Sequence, residues 1–347
     1  MTAPDRMRGL RGRLVLPAAE YQRDRRAWLR FRRAGLGASE TAAILGLSKW
    51  STPLQVYLDK TSTAPVVDEA PSVAAQIGTD TEDMVARWTV REWPELGKIG
   101  PTPGLLAHPD HPWMLATLDR ILYPRGSRDG MPLGVLEVKT TSRWNYEQNW
   151  IDGVPPGYVQ VQVQQQLAVS GLSTAWVACW VRDERPENSL KEPFRIDADP
   201  AVHEQIITYA GAWWADHVEA RRAPQAVVDD APIMNSLHVP NLDADPVTAG
   251  PEIEGIVADW LHAKARAKAI DEDVKAAEVA MKATMVAAGS NAIAREDGQL
   301  LVTWRRNRDG QTFDRKSFTA DHPDLAAKYT TTTPGAAVLR PVKGHDS

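Results

Sequence analysis

The chain has 347 residues, 43% of them apolar, enough for one large or two modest domains with a sizeable core. Its formal charge of -5 gives no overall case for a polyanionic partner, and its single cysteine, Cys179, excludes a disulfide framework, a four-cysteine zinc site and a cysteine-held iron–sulfur cluster. No secretory segment opens the chain and no run of about 18 apolar residues occurs, so a soluble, intracellular protein is expected.

Local charge differs from the total. Ten arginines against two acids, Glu20 and Asp24, lie between Arg6 and Arg33. Such a stretch can meet a polyanion locally or stand solvated as a basic N-terminal extension. Trp28 and Phe31 at helical spacing place a short amphipathic helix over 23–31. Gly35-Leu36-Gly37-Ala38-Ser39-Glu40 interrupts it, and Ser39 is placed to cap a helix running to Leu45 and stopping at Gly46. Pro53 opens the next helix, over 53–58. After a loop at 61–72, a longer helix spans 74–93 and ends at Pro94, with Glu82 four residues after Gly78. Short strands follow at 104–107, 113–118 and 121–123, then a turn-rich connection at 124–132 and a strong strand at 134–139.

A polar and aromatic segment at 144–150 leads to the turn Gly153-Val154-Pro155-Pro156-Gly157. Gln160, Gln162, Gln164, Gln165 and Gln166 then stand among Val and Leu over 158–170. The first half alternates like a strand, but the ending at Ser170-Gly171 favours a helix. Strands at 174–181 and 193–196 precede an amphipathic helix over 200–222, whose Trp213-Trp214 pair reads as packing. Cys179, inside an apolar run, reads as a buried inert thiol. Residues 223–250 lack periodicity and mark a boundary. The Ala-, Lys- and Glu-rich stretch 253–288 carries Ile256, Trp260, Ile270, Val274 and Met281, a helical hairpin or one long helix packed against a partner. A small β unit is expected over 291–304 and 312–318, then a loose tail from 330. The domain plan is therefore an extension at 1–19, a core at 20–222, a linker at 223–250, a helical and small β region at 251–329, and a tail at 330–347.

Chemistry concentrates in Leu118-Asp119-Arg120 and Val135-Leu136-Glu137-Val138-Lys139-Thr140. Charge inside an apolar strand is costly unless it is paired or holds a metal. If a hairpin joins the two segments, Asp119 and Glu137 are neighbours, and the Val138 carbonyl lies beside them. Oxygen donors of this kind suit one or two hard divalent cations, magnesium or alternatively manganese. Lys139 shares a face with Glu137 because strand period is two, so it can orient an attacking water or stabilise charge developing on phosphorus. A phosphodiester is the substrate class that uses this apparatus. A plain cross-strand ion pair is the competing reading of the same spacing. Glu82 offers a third carboxylate and Gln162 an amide. Arg33 and Ser39 bracket a helix start suited to a terminal phosphate.

The order of these pieces resembles the phage recombination exonucleases of the YqaJ type, relatives of the phage lambda exonuclease in the PD-(D/E)xK nuclease class. The resemblance is carried by RAGLGASETAAILG at 33–46, by Gly78 and Glu82, by Leu118-Asp119, by Leu136-Glu137-Val138-Lys139-Thr140 and by the glutamine segment; it covers roughly 20–220. It implies an α/β (α+β) restriction-endonuclease-like core, a central mixed β-sheet flanked by helices, here with a C-terminal helical plus small β appendage. It also implies a magnesium-dependent exonuclease that digests one strand of duplex DNA 5′ to 3′ and leaves 3′ single-stranded overhangs for recombination. Asp119, Glu137 and Val138 match its metal ligands, Lys139 its water-assisting lysine, and Glu82 and Gln162 its supporting residues. Gln160 and Gln164 compete with Gln162 for that register. Ser39, Arg33 and Arg32 match the group that holds a 5′-phosphate. The implied partners are DNA ends, other copies of the chain, with ring trimers among known relatives, and a single-strand annealing protein, in the cytoplasm of a bacterial host and without a membrane. A restriction-like or repair endonuclease of the same fold is the alternative, and a non-catalytic DNA-end binder the third reading.

Overall fold

The structure, a computed structural model, describes residues 7–66, 68, 70–126, 130–237, 245–331 and 338–342. The start of the basic extension, part of the 124–132 connection, part of the expected linker and most of the expected tail lie outside those residues. The chain forms two compact units, Met1–Ser236 and Leu237–Ser347.

Two sheets organise the first unit. One has the order β1 (Arg13–Pro17), β4 (Gly104–Ala107), β5 (Met114–Thr117), β2 (Leu36–Gly37), with β2 parallel to β5 and the other pairs antiparallel. The second has the order β3 (Lys98–Gly100), β6 (Arg120–Tyr123), β7 (Gly134–Thr141), β8 (Thr174–Val181), β9 (Leu190–Asp197). It is mixed: β7 and β8 are parallel, whereas β3–β6, β6–β7 and β8–β9 are antiparallel. The chain passes from the first sheet to the second at Leu118-Asp119, and Leu118 is fully buried there.

The helices of this unit are α1 (Arg25–Arg33), α2 (Ala38–Ile44), α3 (Pro53–Thr61), α4 (Val73–Glu92), α5 (Gly157–Ser170) and α6 (Pro200–Trp213), with shorter turns between them. The five-stranded sheet is covered on both faces. Val159, Val163 and Leu167 of α5 pack with Val135 and Val177 on one side. Val85 and Ala86 of α4 pack with Leu122, Leu136, Val138 and Ala178 on the other. Burial of both faces explains why β7 and β8 read as near-continuous apolar runs. It also sorts β7: residues 135, 137 and 139 face α5, while 136 and 138 face α4. Cys179 is buried here, and burial pushes its thiol up to about 12. Gly171 ends α5 in the left-handed region at φ 74°, where a Cβ would meet Arg11 atoms at 2.7 Å.

Several expected boundaries shift for local reasons. The helix expected over 23–31 starts at Arg25, because the Asp24 side chain caps it through the Ala27 N–H. Ser39 does not cap its helix. Gly37 occupies the cap position, and the Glu40 carboxylate accepts the Gly37 N–H at 2.7 Å. The polar segment after Ser142 is a helix, Arg143–Asn149, capped by that serine. The helix expected to reach 222 gives way after Trp213 to a wider π turn over Trp214–Glu219.

In the second unit, 253–288 is one helix, α7 (Pro251–Ala287), and not a hairpin. A two-stranded ribbon follows, β10 (Ala292–Ala294) with β11 (Leu300–Thr303). The segment 312–318 is not a strand: Asp314 accepts the Ser317 N–H at 3.0 Å and starts the helix α8 (Arg315–Asp321). Among the described residues no helix is long and apolar enough to cross a membrane.

Candidate active site

Strand register builds the centre of the site. Arg120 of β6 pairs with Leu136 of β7, so the preceding Asp119 falls opposite Glu137. One Asp119 carboxylate oxygen accepts the Val138 N–H at 2.8 Å, tying the acid to the strand beside it. Glu137 is 1% exposed. Its Oε1 receives Lys139 Nζ at 2.7 Å and Gln162 Nε2 at 2.6 Å, and its Oε2 receives Gln166 Nε2 at 2.7 Å. Lys139 also donates to Gln162 Oε1 at 2.9 Å. Glu137, Lys139 and Gln162 thus close a triangle, with Gln166 one turn along α5 completing the hold.

The glutamines of α5 divide by helix face. Gln160 donates to the Pro155 carbonyl at 2.7 Å, and Gln164 to the Asp197 carbonyl at 2.9 Å, both away from the acids. Gln165 donates to the Leu36 and Leu115 carbonyls at 2.9 Å and fastens β2 and β5. Glu82 projects from α4 and pairs with Arg120, whose guanidinium also reaches Asp83 at 3.2 Å.

Charge at this centre is uneven. Burial first, then the nearby Glu137 and Glu82 charges, hold the Asp119 carboxyl well above its usual range, against Lys139 and the Val138 N–H. Glu82 is raised mainly by burial, with Arg120 opposing. Burial works against the charged form of Lys139, but Glu137 and Asp119 outweigh it and keep the ammonium protonated.

Arg32 and Ser39 lie across the same cavity of about 500 Å³, which is also lined by Trp28, Glu82, Asp119 and Gln162. The Arg32 guanidinium lies 4.7 Å from the Trp28 ring centroid, pairs with Glu40 at 3.0 Å and reaches the Ser39 hydroxyl at 3.5 Å. A Cβ at Gly37 would come within 2.7 Å of that guanidinium, so the glycine keeps its place open. Beneath them, the fully buried Lys60 side chain bonds Glu40 at 2.8 Å and the Arg32 carbonyl at 2.9 Å. Burial alone would raise the Glu40 carboxyl, but Arg32 and Lys60 lower it below its usual value. Arg33 is not brought to the cavity: its side chain turns to Asp59 at 3.3 Å and the Ala64 carbonyl at 2.8 Å.

Asp119, Glu137, Lys139, Gln162 and Glu82 are therefore gathered at one end, and Arg32 and Ser39 at the other. Sequence reasoning missed Gln166, Arg120 and Lys60. Gln166 carried a signal, its spacing of four from Gln162. Among the described residues no group of three His, Cys, Asp or Glu side chains is arranged to hold a metal. Two carboxylates and a backbone carbonyl are nonetheless the hard oxygen donors that magnesium takes, and a divalent cation would favour the charged form of Asp119 that burial and the neighbouring Glu137 and Glu82 disfavour.

Residues 27–173 match the family model of the YqaJ-like viral recombinase domain. The chain is 36% identical over 221 residues to the protein named "Uncharacterized protein YqaJ" of Bacillus subtilis (strain 168), a match covering 63% of each chain. It therefore spans under two thirds of the length of that relative. Among solved structures, it resembles an alkaline exonuclease (LHK-Exo) from Laribacter hongkongensis at 20% identity and TM-score 0.46, over 56% of this chain and 93% of that one. The structure of LHK-Exo in complex with dAMP matches at 22% identity, TM-score 0.46 and the same coverage.

Proposed function

We propose that this chain, which carries a YqaJ-like viral recombinase domain, is a magnesium-dependent exonuclease that digests one strand of linear duplex DNA from its 5′ end and leaves 3′ overhangs for recombination. The observation that carries the reading is the single cavity in which Asp119 and Glu82 face Arg32 and Ser39. A site for phosphodiester chemistry and a cationic pocket for a terminal phosphate at one cavity would act on ends.

Asp119, Glu137 and the Val138 carbonyl would hold the ion. When bound, magnesium supplies polarisation of a phosphoryl oxygen and a lowered water pKa. Lys139, protonated between Glu137 and Asp119, acts as a fixed donor toward charge growing on the phosphoryl oxygens. Gln162 and Gln166 keep the Glu137 carboxylate in one orientation. Arg32, over the Trp28 ring, and the Ser39 hydroxyl receive the terminal phosphate. The substrate is a DNA end, with a single-strand annealing protein as downstream partner and a cytoplasmic setting.

Circular duplex tests the reading. Linear DNA should release nucleotides with magnesium and not with chelator, while covalently closed circles survive. Nicking of circles at a comparable rate would instead indicate an endonuclease of the same fold, and no metal-dependent release from either would indicate a non-catalytic end binder.

A further inference from the structure

α7 is 37 residues long, and Met285, near its C-terminal end, is its one buried side chain among the described residues. Large apolar groups along it stand open: Ile256 and Ile270 are each 62% exposed, and Val274 is 51% exposed. Within its own unit, a helix this exposed and carrying an apolar row lacks a cover.

Apolar residues stand on other faces too, Val257, Leu261 and Val279 among them, but two series at seven-residue spacing are apolar throughout except at Thr284: Ile253, Trp260, Ala267, Val274 and Met281, and, three residues on, Ile256, Ala263, Ile270, Ala277 and Thr284. A repeat of that period over about four and a half heptads is that of a left-handed coiled coil. It runs from 253 to 284, about 48 Å at about 1.5 Å per residue.

We propose that α7 pairs with α7 of a second copy of this chain as an antiparallel coiled coil centred between Ala267 and Ile270. Side-chain size selects that partner and direction. In the antiparallel alignment Trp260 meets Ala277, Val274 meets Ala263 and Ile270 meets Ala267, each large group opposite a small one. In a parallel pair Trp260 meets Trp260 and Ala267 meets Ala267, crowding one layer and emptying another. The flanking charges are compatible with it: antiparallel pairing sets Arg266 beside Asp273 and Lys264 beside Asp271, each contact occurring twice by two-fold symmetry, whereas parallel pairing would set Arg266 beside Asp271 and Asp259 beside Lys264 but also Asp273 beside Glu278, a repulsion. The Lys264 ammonium lies 4.7 Å from the Trp260 ring centroid, at the margin of the stripe where such a contact is made.

The test is the mass of the full chain in solution by light scattering across micromolar concentrations. The wild type should contain an even number of copies, and Ile270→Glu should halve that number with its helical circular dichroism retained. Val279→Glu, an exposed apolar position off the stripe, should change nothing. Arg266→Asp and Asp273→Arg should each weaken self-association, and the double exchange should restore it. A wild type with the mass of one copy, or an Ile270→Glu variant with the wild-type mass, overturns the proposal. Failure of the double exchange to restore association overturns the antiparallel alignment.

Discussion

The two ends of the cavity are made of the same material, buried charges held by neighbours, yet they are balanced differently. At one end Glu82, Asp119 and Glu137 outnumber Lys139 and Arg120, and burial with the neighbouring carboxylates holds Asp119 well above its usual range. At the other, Lys60 and Arg32 enclose Glu40 so effectively that its carboxyl is lowered in spite of burial. The first end crowds carboxylates where burial disfavours their charged forms, which suits it to a cation that would stabilise those forms. The second is internally satisfied, which suits it to holding one guanidinium still. Buried charge therefore serves reactivity in one place and placement in the other.

Substitutions should separate these roles. The largest effect is expected from Asp119→Ala or Glu137→Ala: nucleotide release falls about a thousandfold, while duplex affinity in gel shifts stays close to wild type. Lys139→Met should lower kcat about a hundredfold with little change in KM, because its donor is used in the transition state. At the other end, Arg32→Met and Ser39→Ala should reduce discrimination between 5′-phosphorylated and 5′-hydroxyl ends about tenfold, whereas Arg33→Met should leave it intact. Equal losses from Arg32→Met and Arg33→Met would break the division drawn here. The smallest effect on kcat is expected from Lys60→Met. It should cost about 2 kcal/mol of stability by removing one of the two cations that hold Glu40, readable as a lower Tm, and should blur end discrimination through Arg32.

Legibility in the sequence followed the range of the forces involved. Asp119 and Glu137-x-Lys139 were readable because strand period alone puts Glu137 and Lys139 on one face, and a hairpin brings Asp119 alongside. The helix that follows was harder, since its glutamines fit both alternation and a helical face; Gln162 and Gln166 separate from Gln160 and Gln164 only once α5 lies on the sheet. Arg32 and Arg33 differ by a rotation of about 100° around the helix axis. The clue that singles out Arg32 is Trp28, one turn earlier, on which it lies. Lys60 was invisible because its burial depends on α3 packing against a segment twenty residues upstream in sequence. Ser39 looked like a cap by residue type, but the helix starts at Ala38, with Gly37 at the cap position and its N–H held by Glu40, so Ser39 already lies inside the first turn. At 312–318, expected as part of the small β unit, capping by Asp314 starts a helix instead.

The claim that one cavity joins a reactive end to an end-recognising one is tested most directly with linear duplex carrying a single 5′-phosphate on one strand. In magnesium, release should begin on the phosphorylated strand and proceed 5′ to 3′, and Arg32→Met should remove that choice of strand while leaving release itself measurable. Release that starts equally at both 5′ ends in the wild type, or that starts from 3′ ends, would contradict the account.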